Sequence, residues 1–130
     1  MIGRRAHGPS PFEATIGFSR AVRVGPITAV SGTGPVEADG SSTPGDAAAQ
    51  ARRCFEIVFD ALRQVGASPR EIVRTRIYLT DPADADAVGR IHAELFDDLR
   101  PAATMVVVAA LLRPEWRVEV EADAYSPDLR

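Results

Sequence analysis

Lysine is missing from this chain: all 15 of its basic residues are arginine, set against 18 acids for a net charge of −3. The arginines form no cluster, so the attraction that drives nucleic-acid binding is lacking, and no nucleic-acid partner is expected. A single cysteine, Cys54, excludes an intrachain disulfide. The only histidines are His7 and His92, and no His/Cys/Asp group has metal-ligand spacing. Neither a metal nor another cofactor is expected. No apolar run approaches the ~20 residues that cross a bilayer, and residues 1–8 hold no apolar stretch of the signal-peptide kind. The expectation is a cytoplasmic protein without a membrane partner.

What is present suits a globular chain. Its 130 residues fit one domain with a modest core, and 45% hydrophobic residues argue against disorder. Residues 1–15 mix Gly, Pro and Ser without periodicity and read as an irregular arm. Residues 18–24 and 27–31 read as a hairpin about Gly25-Pro26, and 32–42 as a Gly/Pro/Ser loop. Thr43 is the expected cap of a first helix, with Pro44 at its first position and Asp46 in its first turn. Ala51, Cys54, Val58, Leu62 and Val65 recur at helical spacing, widened by Phe55 and Phe59, and Gly66 stands where a C-terminal cap belongs. Residues 72–79 form a strand with Val73, Thr75, Ile77 and Leu79 on one side and Arg74, Arg76 and Tyr78 on the other. A second helix starts near Asp81-Pro82, carries Val88, Ile91, Leu95 and Leu99, and ends at Pro101. Strands over 104–112 and 117–125 complete the order β-β-α-β-α-β-β.

Two helices cover one face of such a sheet. Yet Met105, Val107 and Ala109 point to one side of their strand while Val106, Val108 and Ala110 point to the other. Both sides are apolar, so both are expected to be buried, and self-association is the economical way to cover the second.

Several segments resemble the Rid (YjgF-like, reactive intermediate deaminase) family. These are Ala29-Val30-Ser31-Gly32, Asp46 to Ala51 with its Ala-Gln-Ala element, and Glu71 to Asp81. Pro101 to Val108 and Arg117 to Ala122 complete the set. The likeness spans residues 12–126, in order and at the right spacing. It implies an α+β, chorismate-mutase-like fold, two helices on one face of a mixed sheet, assembled as a homotrimeric barrel with three clefts between subunits.

The resemblance also implies chemistry. Deaminases of the family hydrolyse 2-imino acids such as 2-iminobutanoate and 2-iminopropanoate, or their enamine tautomers, to keto acids. Such a site needs an arginine fork for the substrate carboxylate and a glutamate to orient water. Glu119 matches the family glutamate and Ser31 the family serine. Phe18 stands where Tyr is common, Met105 where Cys is common and Gly89 where Asn is common. Ala103 stands where the carboxylate-binding arginine belongs. Arg100 lies three residues upstream, and Arg20, sharing strand parity with Phe18, is the alternative anion anchor. The chain thus resembles an arginine-lacking branch whose cleft binds a small metabolite. Hydrolytic imine or enamine deamination is the enzymatic reading. Non-catalytic binding or sensing is its alternative, and the endoribonuclease and translation-inhibitor labels of the family come behind both. The remaining candidates read as ordinary structure: Glu121 and Asp123 on a solvated or barrel-lining face, His92 on a helix surface, Cys54 in the core, and Trp116 shielding a subunit edge.

Overall fold

Asp46, not Thr43, starts the first helix. In the computed structural model, which describes residues 2–127, the Asp46 side chain accepts the Ala49 amide at 2.9 Å and caps α1, Ala47–Gln64. The Thr43 hydroxyl instead donates to Glu37 at 2.6 Å, three residues too early to cap. One stripe of α1 buries Ala51, Cys54, Phe55, Val58 and Leu62. The helix stops at Gly66, whose φ of 75° lets the Ala67 amide turn back to the Leu62 carbonyl at 2.9 Å.

Among the described residues, six strands make one mixed sheet: β1 Arg4–Ala6, β2 Ala21–Val24, β3 Ile27–Thr33, β4 Ile72–Leu79, β5 Ala102–Val107 and β6 Val118–Tyr125. Their spatial order is β1-β2-β3-β6-β4-β5. Only β4 and β5 run parallel; α2, Ala85–Phe96, crosses between them after a 3₁₀ turn over Pro82–Asp84 capped by Asp81. The helices lie on the face carrying Val118, Val120, Ala122 and Ala124, all of them buried beneath α1 and its neighbours.

The α+β fold with two helices on one sheet face is therefore as expected, but several boundaries and one facing differ. The arm at 1–15 is not irregular throughout: Arg4 to Ala6 pair with Ala21 to Arg23, and Glu13–Gly17 forms a π-helical turn. A three-residue edge strand is too short to show a period. The strand expected from residue 18 begins only at Ala21. β5 ends at Val107 rather than 112 because its sole neighbour β4 ends at Leu79, whose carbonyl accepts the last amide, Val108 N–H, at 2.7 Å. A register shift between Ile72 and Arg74 turns Val73 outward, so Ile72 takes its inward place.

The second sheet face stays open in the single chain. It carries Glu119, Glu121, Asp123 and Tyr125 on β6 beside Arg74, Arg76 and Tyr78 on β4. Val106 is 42% exposed on that side and Val107, on the other, 51%. Among the described residues, no helix is long and apolar enough to cross a membrane.

Candidate functional site

Glu119 sits opposite Tyr78 in the β4–β6 register, but the Tyr78 hydroxyl leans diagonally and donates to Glu121 Oε1 at 2.5 Å. Arg76, opposite Glu121, also leans: it pairs with Asp123 at 3.2 Å and with Glu121 at 3.7 Å. Each partner is thus used by the next residue along, and the Glu119 side chain makes no hydrogen bond or ion pair with another described residue. Its carboxylate lies instead against Gly32, where a Cβ would stand 2.6 Å from Oε2. That space exists because β3 slips register between Val30 and Thr33 as it passes β6. Burial pushes the Glu119 carboxyl above its ordinary value; the charge of Arg20 opposes this and that of Glu121 adds to it.

Arg20 builds the bulge rather than facing a ligand. It is 2% exposed and donates to the Gly32 carbonyl at 2.5 Å, to Thr33 Oγ1 at 3.0 Å and to Glu13 Oε2 at 3.3 Å. As an anion anchor Arg20 is left with little to offer: Nε and Nη1 are engaged inside the fold, and only Nη2 has no partner among the described residues. Phe18 does share its side, with the guanidinium 5.2 Å from the ring centroid. Ser31 donates its hydroxyl to the Ser19 carbonyl at 2.7 Å, tying the bulge to the start of β2. Arg20, Phe18, Ser31 and Glu119 therefore gather around Gly32.

Ala103 and Met105 do not join them. In register they partner Thr75 and Ile77, on the helix-side face, whereas Glu119 partners Tyr78 on the open face. β4 also lies between β5 and β6, so the strand of Ala103 does not adjoin that of Glu119. Ala103 is exposed at the sheet edge, and Met105 packs partly on the core. Nearby, nothing lies within 4 Å of a Cβ built on Gly89. Arg100 takes φ 50° just beyond α2, and its exposed guanidinium pairs with Asp97 at 3.3 Å.

Two side chains sit deeper than expected. His92 is half-buried, its Nε2 2.9 Å from Thr75 Oγ1 and its ring 4.6 Å from that of Phe96. Trp116 is buried within the chain rather than shielding an edge: its ring covers Gly34, meets Phe12 edge-on and donates to Ser42 at 3.0 Å. Glu121 and Asp123 are engaged by Tyr78 and Arg76, not simply solvated. Cys54 is the core thiol expected, and burial pushes its pKa far upward.

A profile of the family named Endoribonuclease L-PSP matches residues 9–126. The chain belongs to this family, the Rid/YjgF proteins. Among its solved members, Rv2704 of Mycobacterium tuberculosis, from the YjgF/YER057c/UK114 family, is 43% identical. That likeness has a TM-score of 0.86 and covers 94% of this chain and 98% of that one. The TdcF protein of E. coli, solved with bound serine, is 26% identical with a TM-score of 0.81, covering 96% and 98%. The 3-aminoacrylate deaminase RutC of Acinetobacter baylyi is 33% identical over 106 residues, 81% of this chain and 83% of its own. The family resemblance read from five short segments thus holds over nearly the whole domain.

Two features of the site escaped the sequence. Gly32 read as the end of a Ser-Gly element, without hint that it makes room for Glu119. Thr75 was the one polar residue on an apolar strand face, and that oddity was the available sign of a buried partner, His92.

Proposed function

We propose that three copies of this chain assemble into a trimer whose intersubunit clefts bind a small metabolite and hydrolyse an imine or enamine in it. One observation carries the reading: the Glu119 side chain stands partly desolvated, without a hydrogen-bonding partner among the described residues, in a space kept open by Gly32. Such a carboxylate can orient a water and accept its proton near neutrality. Water attacks the imine carbon, the proton passes through Glu119 to nitrogen, and collapse of the carbinolamine releases ammonia and a carbonyl product.

The placement of the site residues supports assembly. Glu119 lies on one face of the sheet and Ala103 and Met105 on the other, so a second copy is needed to bring both groups into one cleft. The relatives support the chemistry, one being a 3-aminoacrylate deaminase and another holding serine.

Ala103 cannot grip a carboxylate and Arg20 has Nε and Nη1 engaged within the fold, so simple 2-imino acids are expected to be poor substrates. In an assay of keto-acid release from imines made in situ by an amino-acid oxidase, the rate should stay near the uncatalysed one. Strong acceleration would show that another group anchors the carboxylate. An enamine or imine lacking that carboxylate should be turned over, and Glu119→Gln should abolish the turnover; equal rates for variant and parent would remove Glu119 from the site.

A further inference from the structure

We infer that the groove between α2 and β5 receives an uncharged part of the ligand and that His92 is the polar group that reads it. This rests on the proposal that Ala103 and Met105 line half of the cleft. α2 leaves the helix side of β5 largely uncovered: Ala103 and Val107 are exposed there and Met105 is only partly buried. On the helix side of the groove, Gly89, His92 and Phe96 recur at i, i+3 and i+7 and share a flank. Gly89 opens into empty space, and Ala103 offers only a methyl group.

His92 is the exception in these small and apolar surroundings. Its ring is fixed from three directions. Thr75 Oγ1, a fully buried hydroxyl on the strand paired with β5, holds Nε2 at 2.9 Å. Phe96 lies tilted against the imidazole at 4.6 Å between centroids, and Phe55 meets the ring edge-on at 5.9 Å. The second ring nitrogen has no hydrogen-bonding partner among the described residues, and the imidazole lines a cavity of about 320 Å³ with Ala93, Phe96, Asp97, Arg100 and Pro101. A neutral imidazole so held is a donor or an acceptor according to its tautomer, which suits a carbonyl, amide or hydroxyl.

Charge in the cavity is already compensated. Arg100, its one arginine, pairs with Asp97, and burial keeps His92 itself uncharged at neutral pH by lowering its pKa. A carboxylate entering here must compete with Asp97 for Arg100, the one cation of the cavity lining. An amide or ketone would lose less hydration and gain His92.

The test uses the intact protein and two matched probes, 2-oxobutanamide and 2-oxobutanoate. Long-range ¹H–¹⁵N NMR resolves the two histidines, and exposed His7 is the internal reference. The amide should shift the His92 ring nitrogens saturably, leave His7 unmoved, and bind at least about tenfold tighter than the carboxylate, one hydrogen bond's worth. Ala103→Arg should reverse that order, and His92→Gln should weaken the amide about tenfold. Equal or tighter binding of the carboxylate, or an unmoved His92 at saturation, overturns the inference, as does failure of both probes at millimolar concentration. Amide binding that requires Glu119 yet leaves His92 unmoved overturns the role of His92 and preserves the cleft. A monomeric chain, by contrast, removes the cleft itself.

Discussion

Gly32 and Glu119 compete for one space: a methyl group on Gly32 would lie 2.6 Å from Glu119 Oε2, closer than any stable contact. Gly32 has an ordinary backbone conformation, so alanine is not excluded there by φ. Relief comes from the flexible end of Glu119, which must swing away.

Gly32→Ala is therefore expected to cost little stability, about 1 kcal/mol or less, while reducing ligand turnover or binding as strongly as removal of the carboxylate does. Paired measurements of thermal unfolding and activity check this. Full activity in the variant would mean that the position of Glu119 is immaterial.

Glu119 also predicts a pH dependence. Unfolded glutamates titrate near ~4.3, and burial raises the folded value. The fold thus favours the protonated form. Its contribution is complete below the unfolded pKa and is lost as pH rises through the folded one. Glu119→Gln removes this loss. The variant should match the parent near pH 4 and exceed it at pH 8, by no more than about 1 kcal/mol because the carboxylate is partly screened by solvent. Urea unfolding at the two pH values gives the difference, and a variant less stable at pH 8 would contradict it.

Arg20 should behave as a structural residue. Arg20→Met leaves Glu13, 9% exposed, without its buried cation and frees the Gly32 carbonyl. A loss of about 3–5 kcal/mol is expected. Arg20→Lys should recover little of it, because one ammonium cannot reach three acceptors in a planar fork. If Arg20→Met unfolds like the parent but fails to bind ligand, the anion-anchor role returns.

Assembly is tested on the open sheet face. The parent should have a trimer mass by light scattering at micromolar concentration. Val106→Arg, placing a charge on the exposed face of β5, should shift that mass toward monomer while far-UV circular dichroism is retained. A monomeric parent, or a trimer indifferent to arginine at this position, would refute the proposed packing.

Local physics made much of this protein legible in its sequence. The apolar stripe from Ala51 to Leu62 and the cap position of Gly66 determined α1, because helical period and left-handed termination are properties of neighbouring residues. The alternation of Val118, Val120 and Ala122 with Glu119, Glu121 and Asp123 determined which β6 side chains face the helices. The doubly apolar β5 raised the expectation of a cover supplied by a second copy, which the trimer mass tests. Tertiary structure alone decided what depends on register and on the approach of distant segments. The slip between Val30 and Thr33 put Gly32 beneath Glu119. The crossover placed β4 between β5 and β6, separating Ala103 from Glu119, and the packing of α2 over Thr75 drew His92 off the surface. Arg20 looked like a ligand anchor until the N-terminal segment folded back and brought Glu13 to it. None of these pairings leaves a period in the chain, since each joins residues whose separation along the sequence carries no information about their distance in space.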